Sequence, residues 1–103
     1  MSARRNYYII VRIHKSTDRP GSADGPVVAG AVKRARLGIF QVNKWRAIAA
    51  KMVADLGYEM GSPFGRHDIR EWQFMAFVYG SFSPEGMGRC GSTLVRLPAR
   101  KAI

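Results

Sequence analysis

The chain has 103 residues, 47% of them hydrophobic, with 17 Lys and Arg against seven Asp and Glu and a net charge of +10. This length fits one domain (1–103), and the apolar fraction excludes wholesale disorder, because a disordered chain lacks the apolar surface to offset its conformational entropy. A single cysteine, Cys90, excludes an internal disulfide, and no apolar run approaches the roughly 20 residues of a membrane-spanning helix, so the expectation is a cytoplasmic protein without a membrane partner.

Residues 1–6, with Arg4 and Arg5, read as a flexible tail. Arg12 interrupts the apolar stretch behind it and no small-residue cleavage site follows, so that stretch is not a signal sequence. Residues 7–14 read instead as a strand. Tyr7, Ile9, Val11 and Ile13 share an apolar face, and Tyr8, Ile10, Arg12 and His14 share a mixed one. Residues 16–26 are small, polar or helix-breaking and predict a loop.

Residues 27–37 predict a short helix. Pro26 stands at its start, Gly38 at its end, and Val28, Ala31, Val32 and Ala35 form one stripe. A second helix is predicted over 43–56, with Asn43 as N-cap and Gly57 just past its end. Trp45, Ile48, Ala49, Met52, Val53 and Leu56 are its apolar side.

Residues 58–70 are irregular, with room for a further strand between 58 and 68. Residues 71–79 are apolar on both faces, Trp72, Phe74, Ala76 and Val78 on one and Met75, Phe77 and Tyr79 on the other. That pattern predicts a central strand buried on both sides. A turn-rich stretch over 80–91 leads to a last strand over 92–97, stopped by Pro98, with 98–103 as a tail. The resulting expectation is an α+β domain, a three- to four-stranded mainly antiparallel sheet packed on one or two helices in the order β-α-α-β-β.

The motifs that could carry chemistry are weak. Gly86 to Gly91 matches a bare G-x-G-x-x-G, but Ser92-Thr93-Leu94-Val95 follows where the dinucleotide fingerprint requires a helix. Ala76-Phe77-Val78 is similar to the heart of the aromatic strand of the RNA-recognition motif. However, Gln73 and Phe74 stand where that strand carries a basic residue and glycine, and Gly80 replaces its final aromatic. A helix-turn-helix reading of 27–37 and 43–56 is weakened by position 34, an arginine where a small residue is usual. His14, His67 and Cys90 have no flanking signature of a catalytic site, and no acids have metal-ligand spacing. No catalytic residue, cofactor or metal is therefore expected, and the chain does not read as an enzyme.

Charge is the informative feature. Residues 1–51 hold eleven Lys and Arg against Asp18 and Asp24, a net +9, whereas residues 52–103 hold six against five, a net +1. Twelve of the 17 cations are Arg, whose planar fork suits phosphate. From 25 to 54 there is no acid, and Lys33, Arg34, Arg36, Lys44, Arg46 and Lys51 all fall there. They predict the centre of a nucleic-acid footprint, DNA or RNA, extended by Arg4, Arg5 and Arg12, with Arg89, Arg96 and Arg100 mattering less. The alternative expectation is a small basic adaptor or inhibitor, of the phage or plasmid accessory type or a ribonucleoprotein subunit, docking on an acidic protein surface.

Overall fold

The computed structural model describes residues 5–16, 25–37, 44–62, 68, 70–81 and 92–102, with 5–7, 37 and 92–95 described in backbone only. The elements run β1 (Arg5–Lys15), β2 (Val27–Leu37), α1 (Lys44–Asp55), β3 (Tyr58–Met60), β4 (Phe74–Ser81) and β5 (Ser92–Lys101). The five strands form one sheet in the order β2-β1-β4-β5-β3, and every pairing is antiparallel.

β1 has a partner on each edge. It pairs with β2 from Arg5↔Leu37 to His14↔Val27 and with β4 from Tyr8↔Ser81 to Lys15↔Phe74. Residues directly opposite one another in such ladders share a face. On one face Ile9, Val11 and Ile13 join Ala76, Val78 and Ala99, and Ala49, Met52 and Val53 of α1 complete this buried cluster. Ala29, Ala31 and Ala35 of β2, together with Trp45, Ile48, Leu56, Tyr58, Met60 and Phe74, pack around it half-buried. All the helical cover of the sheet, among the described residues, lies on that side.

Three expectations are corrected. Residues 27–37 are a strand, so among the described residues there are five strands and one helix, in the order β-β-α-β-β-β. Of the predicted stripe, Ala31 and Ala35 pack with Ala29 toward the helix-side core, while Val28 and Val32 are exposed. Val27, Val28 and Val32 add to the strand preference, and Gly30 weakens a helix. Long pairing with β1 decides the matter.

Second, Pro98 does not stop the last strand. β5 continues to Lys101, and Pro98 sits opposite Met75 in the ladder. The Pro98 carbonyl accepts the N–H of Gly61 at 2.7 Å. In an antiparallel strand a residue's N and C=O point to the same neighbour. The missing N–H therefore faces the β3 side, beyond the end of that three-residue strand, and removes nothing from the β4 ladder. Third, Arg5 and Asn6 belong to β1, and Ala102 N donates to Gly57 O at 2.9 Å, so the described parts of the segments expected as tails hold paired backbone.

Gly57 ends α1 with φ +88° and is followed at once by β3. A Cβ there would meet nothing within 4 Å, so a side chain costs only backbone strain. Gly57→Ala is expected to lower unfolding free energy by about 1–2 kcal/mol. Gly57→Asn is expected to recover part of that loss, because Asn tolerates the left-handed region. Urea unfolding of both variants checks this, and equal stability of Gly57→Ala and the parent chain would contradict it.

Candidate nucleic-acid interface

The alternation that sends Ile9, Val11 and Ile13 toward the helix sends Tyr8, Ile10, Arg12 and His14 the other way. Register then decides what joins them. Arg34 of β2 lies opposite Tyr8, and Arg36 lies two pairs further along, opposite Asn6. A transverse row runs Gly30, Arg12, Phe77, Arg96 across β2, β1, β4 and β5. The adjoining row places Val32, Ile10 and Tyr79 side by side, and the one on the other flank holds His14, Met75 and Pro98.

Ile10 and Met75 are buried yet stand apart from the helix-side cluster, and they form the floor of this second face. Around them Tyr8, Arg12, His14, Phe77 and Tyr79 are half-buried, while Arg34, Arg36 and Arg96 are exposed. The Phe77 and Tyr79 rings lie 6.1 Å apart between centroids and within 9° of parallel. His14 meets Phe77 edge-on at 5.1 Å, and its Nδ1 donates to the Gly25 carbonyl at 3.2 Å. That bond fixes the side of the imidazole carrying the proton, since a carbonyl only accepts.

No acid from β2, β1 or β4 lies on this face, and among the described residues no ion pair holds Arg12, Arg34, Arg36 or Arg96. The nearest acid in the ladder is Glu59 on β3, opposite Arg100. Arg100 is differently placed from the other arginines. It forms ion pairs with both Glu59 and Glu71, and its guanidinium sits 4.4 Å from the centre of the Trp72 ring. The turn that presents Glu71 and Trp72 is closed by their N–H groups donating to the Asp68 carbonyl, at 3.0 and 2.8 Å. A groove of about 920 Å3 beside it, lined by Lys15, Tyr58, Glu71, Phe74, Arg100 and Lys101 among others, is thus mixed in charge, with Arg100 already paired to Glu59 and Glu71.

The basic run divides between the two sides of the sheet. Arg12, Arg34 and Arg36 share the open face. Lys33, opposite Ile9, belongs to the helix side of the edge strand, and Lys44, Arg46 and Lys51 are exposed on α1. Arg46 lies 5.6 Å from the Trp45 ring centre. Arg5 opens β1 opposite Leu37. Arg4, Arg89, Asn43, His67, Cys90 and the Gly86–Gly91 segment lie outside the described residues.

Sequence patterning does not single out Tyr8, Phe77 and Tyr79 as surface groups, and it ranks Arg96 among the lesser cations. The expectation of a strand buried on both faces places Phe77 and Tyr79 in a core, yet both are half-buried on the side without a helix. Trp72 and Phe74 are not exposed platforms, because Trp72 lies against Arg100 and Phe74 packs edge-on against Tyr58 at 5.1 Å. Among the described residues no helix is long and apolar enough to cross a membrane. Comparison with protein-family models, curated proteins and solved structures finds no match.

The two β5 arginines should respond differently to truncation. Arg100→Ala is expected to cost about 1–2 kcal/mol, combining two partly exposed ion pairs and a cation–π contact. Arg96→Ala, an exposed side chain outside any described ion pair, is expected to stay within about 0.5 kcal/mol of the parent. Denaturant unfolding measures both, and a larger loss for Arg96→Ala would make Arg96 a structural residue.

Proposed function

We propose that this chain is a non-catalytic nucleic-acid-binding module of the cytoplasm. The observation that carries the reading is the sheet face opposite α1. Arg12, Arg34, Arg36 and Arg96 gather there around half-buried aromatic rings, with no acid between them among the described residues. Four guanidinium groups on one surface repel one another unless a polyanion neutralises them. Arginine is the side chain whose fork fits phosphate. The net charge of +10 adds long-range attraction for the same kind of ligand.

A second reading is favoured by the edge of the sheet. β2 is an eleven-residue edge strand with Val27, Val28 and Val32 exposed at 51%, 43% and 52%. An acidic extended segment of another protein would add to that edge through backbone hydrogen bonds, next to Lys33 and Arg34. This is the basic-adaptor alternative in structural form. Recovering the chain from cells with and without nuclease separates the two, since only a protein partner survives the treatment.

Each cation that neutralises a phosphate releases a condensed counterion. The logarithm of affinity is therefore expected to fall linearly with the logarithm of salt, with a slope of about −0.7 per neutralised phosphate on single strands and about −0.9 on duplex. Replacing Arg34 and Arg36 by Ala is expected to weaken binding across sequences and flatten the slope by about 0.7–0.9 for each phosphate no longer neutralised. Folding should be unchanged, because both side chains are exposed. Titration of parent and double variant at several salt concentrations tests this. Absence of binding by the parent to any nucleic acid at low salt would refute the reading.

A further inference from the structure

We infer that the ligand of this face is a single strand of nucleic acid, with its bases stacked on Phe77 and Tyr79 and its phosphates held by Arg12, Arg34, Arg36 and Arg96. The inference rests on the nucleic-acid reading above and narrows it to one face and one form of ligand. Three features lead to it.

The first is the pairing of ring and charge. Phe77 has Arg12 directly beside it on β1 and Arg96 directly beside it on β5. Opposite residues in neighbouring strands stand about 4.5–5.5 Å apart. A base lying on Phe77 therefore has a cation within reach on each side for its backbone. Arg34 and Arg36 continue the charge along the β2 edge of the same face. Cations and stacking rings alternate over a few ångströms, as a flexible single strand requires.

The second is the presentation of the rings. Phe77 and Tyr79 are separated by one residue on β4 and are within 9° of parallel at 6.1 Å. The two rings stack along one direction, so bases of a single strand can extend the same stack. Ile10 at 3% exposure and Met75 at 6% form a packed floor beside them, and His14 packs against Phe77 at 73° to its plane. The rings are thereby held before the ligand arrives, which reduces the ordering cost of binding.

The third is the shape of the surface. The faces of bases in a duplex are already stacked on one another, so aromatic side chains reach them only where the strand is unpaired. β2, β1, β4 and β5 stand side by side at about 4.8 Å spacing, a platform about 14 Å across. A surface that broad does not enter a major groove about 12 Å wide, which admits a helix or a two-stranded ribbon. The element narrow enough to do so, α1, presents Lys44, Arg46 and Lys51 with Asp55 exposed among them, on the opposite side from Arg12 and Arg34.

Fluorescence anisotropy with labelled strands of about 15 nucleotides, one oligo-dT, one oligo-U and one blunt mixed-sequence duplex, tests this. Single strands are expected to bind more tightly than the duplex, and the two single-strand arms show whether the sugar is read. Phe77→Leu keeps an apolar side chain over the floor but removes the ring. It is expected to weaken single-strand binding by roughly 5- to 150-fold, the range for removal of one stacked base, with the salt slope unchanged. Tyr79→Leu is expected to do the same, and thermal melting of both variants confirms that they fold. Arg96→Ala should flatten the salt slope by about 0.7. A triple variant of the helix, combining Lys44→Ala, Arg46→Ala and Lys51→Ala, should leave oligo-dT binding within about twofold of the parent. Duplex bound as tightly as single strands, with Phe77→Leu and Tyr79→Leu silent, overturns the inference while leaving the nucleic-acid reading intact. Loss of binding confined to the α1 triple variant does the same. A parent chain that binds none of the three ligands at low salt removes both.

Discussion

β1 is hydrogen-bonded along both edges, and the two registers it holds decide the character of everything around it. A strand alternates its side chains with a period of two. Once Ile9, Val11 and Ile13 are committed to the helix side, Tyr8, Ile10, Arg12 and His14 are committed to the other. The same registers sort β2 and β4, so Arg34 and Arg36 follow Tyr8, and Phe77 and Tyr79 follow Arg12 and Ile10. A slip of one residue would exchange the two faces of a strand. It would drive an arginine toward Val53 and Ala49, which no burial of apolar surface there could offset.

The two faces answer different physical demands. The helix side is a dry core, with Val11, Ile13, Ala49, Ala76 and Val78 removed from solvent, and it supplies most of the hydrophobic stabilisation. The other face has a smaller apolar floor in Ile10 and Met75, rimmed by groups that are only half-covered. Arginine suits such a rim because its stem packs on apolar neighbours while its head stays in water. The gathering of like charges lowers the stability of the free chain.

Arg96 and Arg100 lie four residues apart on one strand and show that residue type alone does not assign a role. Glu59 arrives beside Arg100 because β3 pairs with the end of β5, and Glu71 and Trp72 arrive on a turn closed at Asp68. Arg100 thereby joins strand, turn and sheet edge. Arg96 has Phe77 as its ladder neighbour and no acid beside it among the described residues, so its charge stays available. The distribution of a few acids separates the paired cation from the one outside any described ion pair.

Composition and local pattern by themselves determined the basic character of the chain, the alternation of β1, the apolar stripe of α1 and the glycine that ends it. These are properties of neighbouring residues and read directly from residue type and spacing. The state of residues 27–37 was not local. Alanines and valines in that order fit a helical stripe or an alternating strand about equally, and the open edge of β1 selected the strand. The candidate interface was less legible still. Lys33 and Arg34 are adjacent in the chain yet fall on opposite sides of the sheet, while Arg12, Phe77 and Arg96, far apart in the chain, form one row. Which cations share a surface depends on register between distant strands, and register is settled by burying one face of the whole sheet against α1, an event that only the tertiary structure contains.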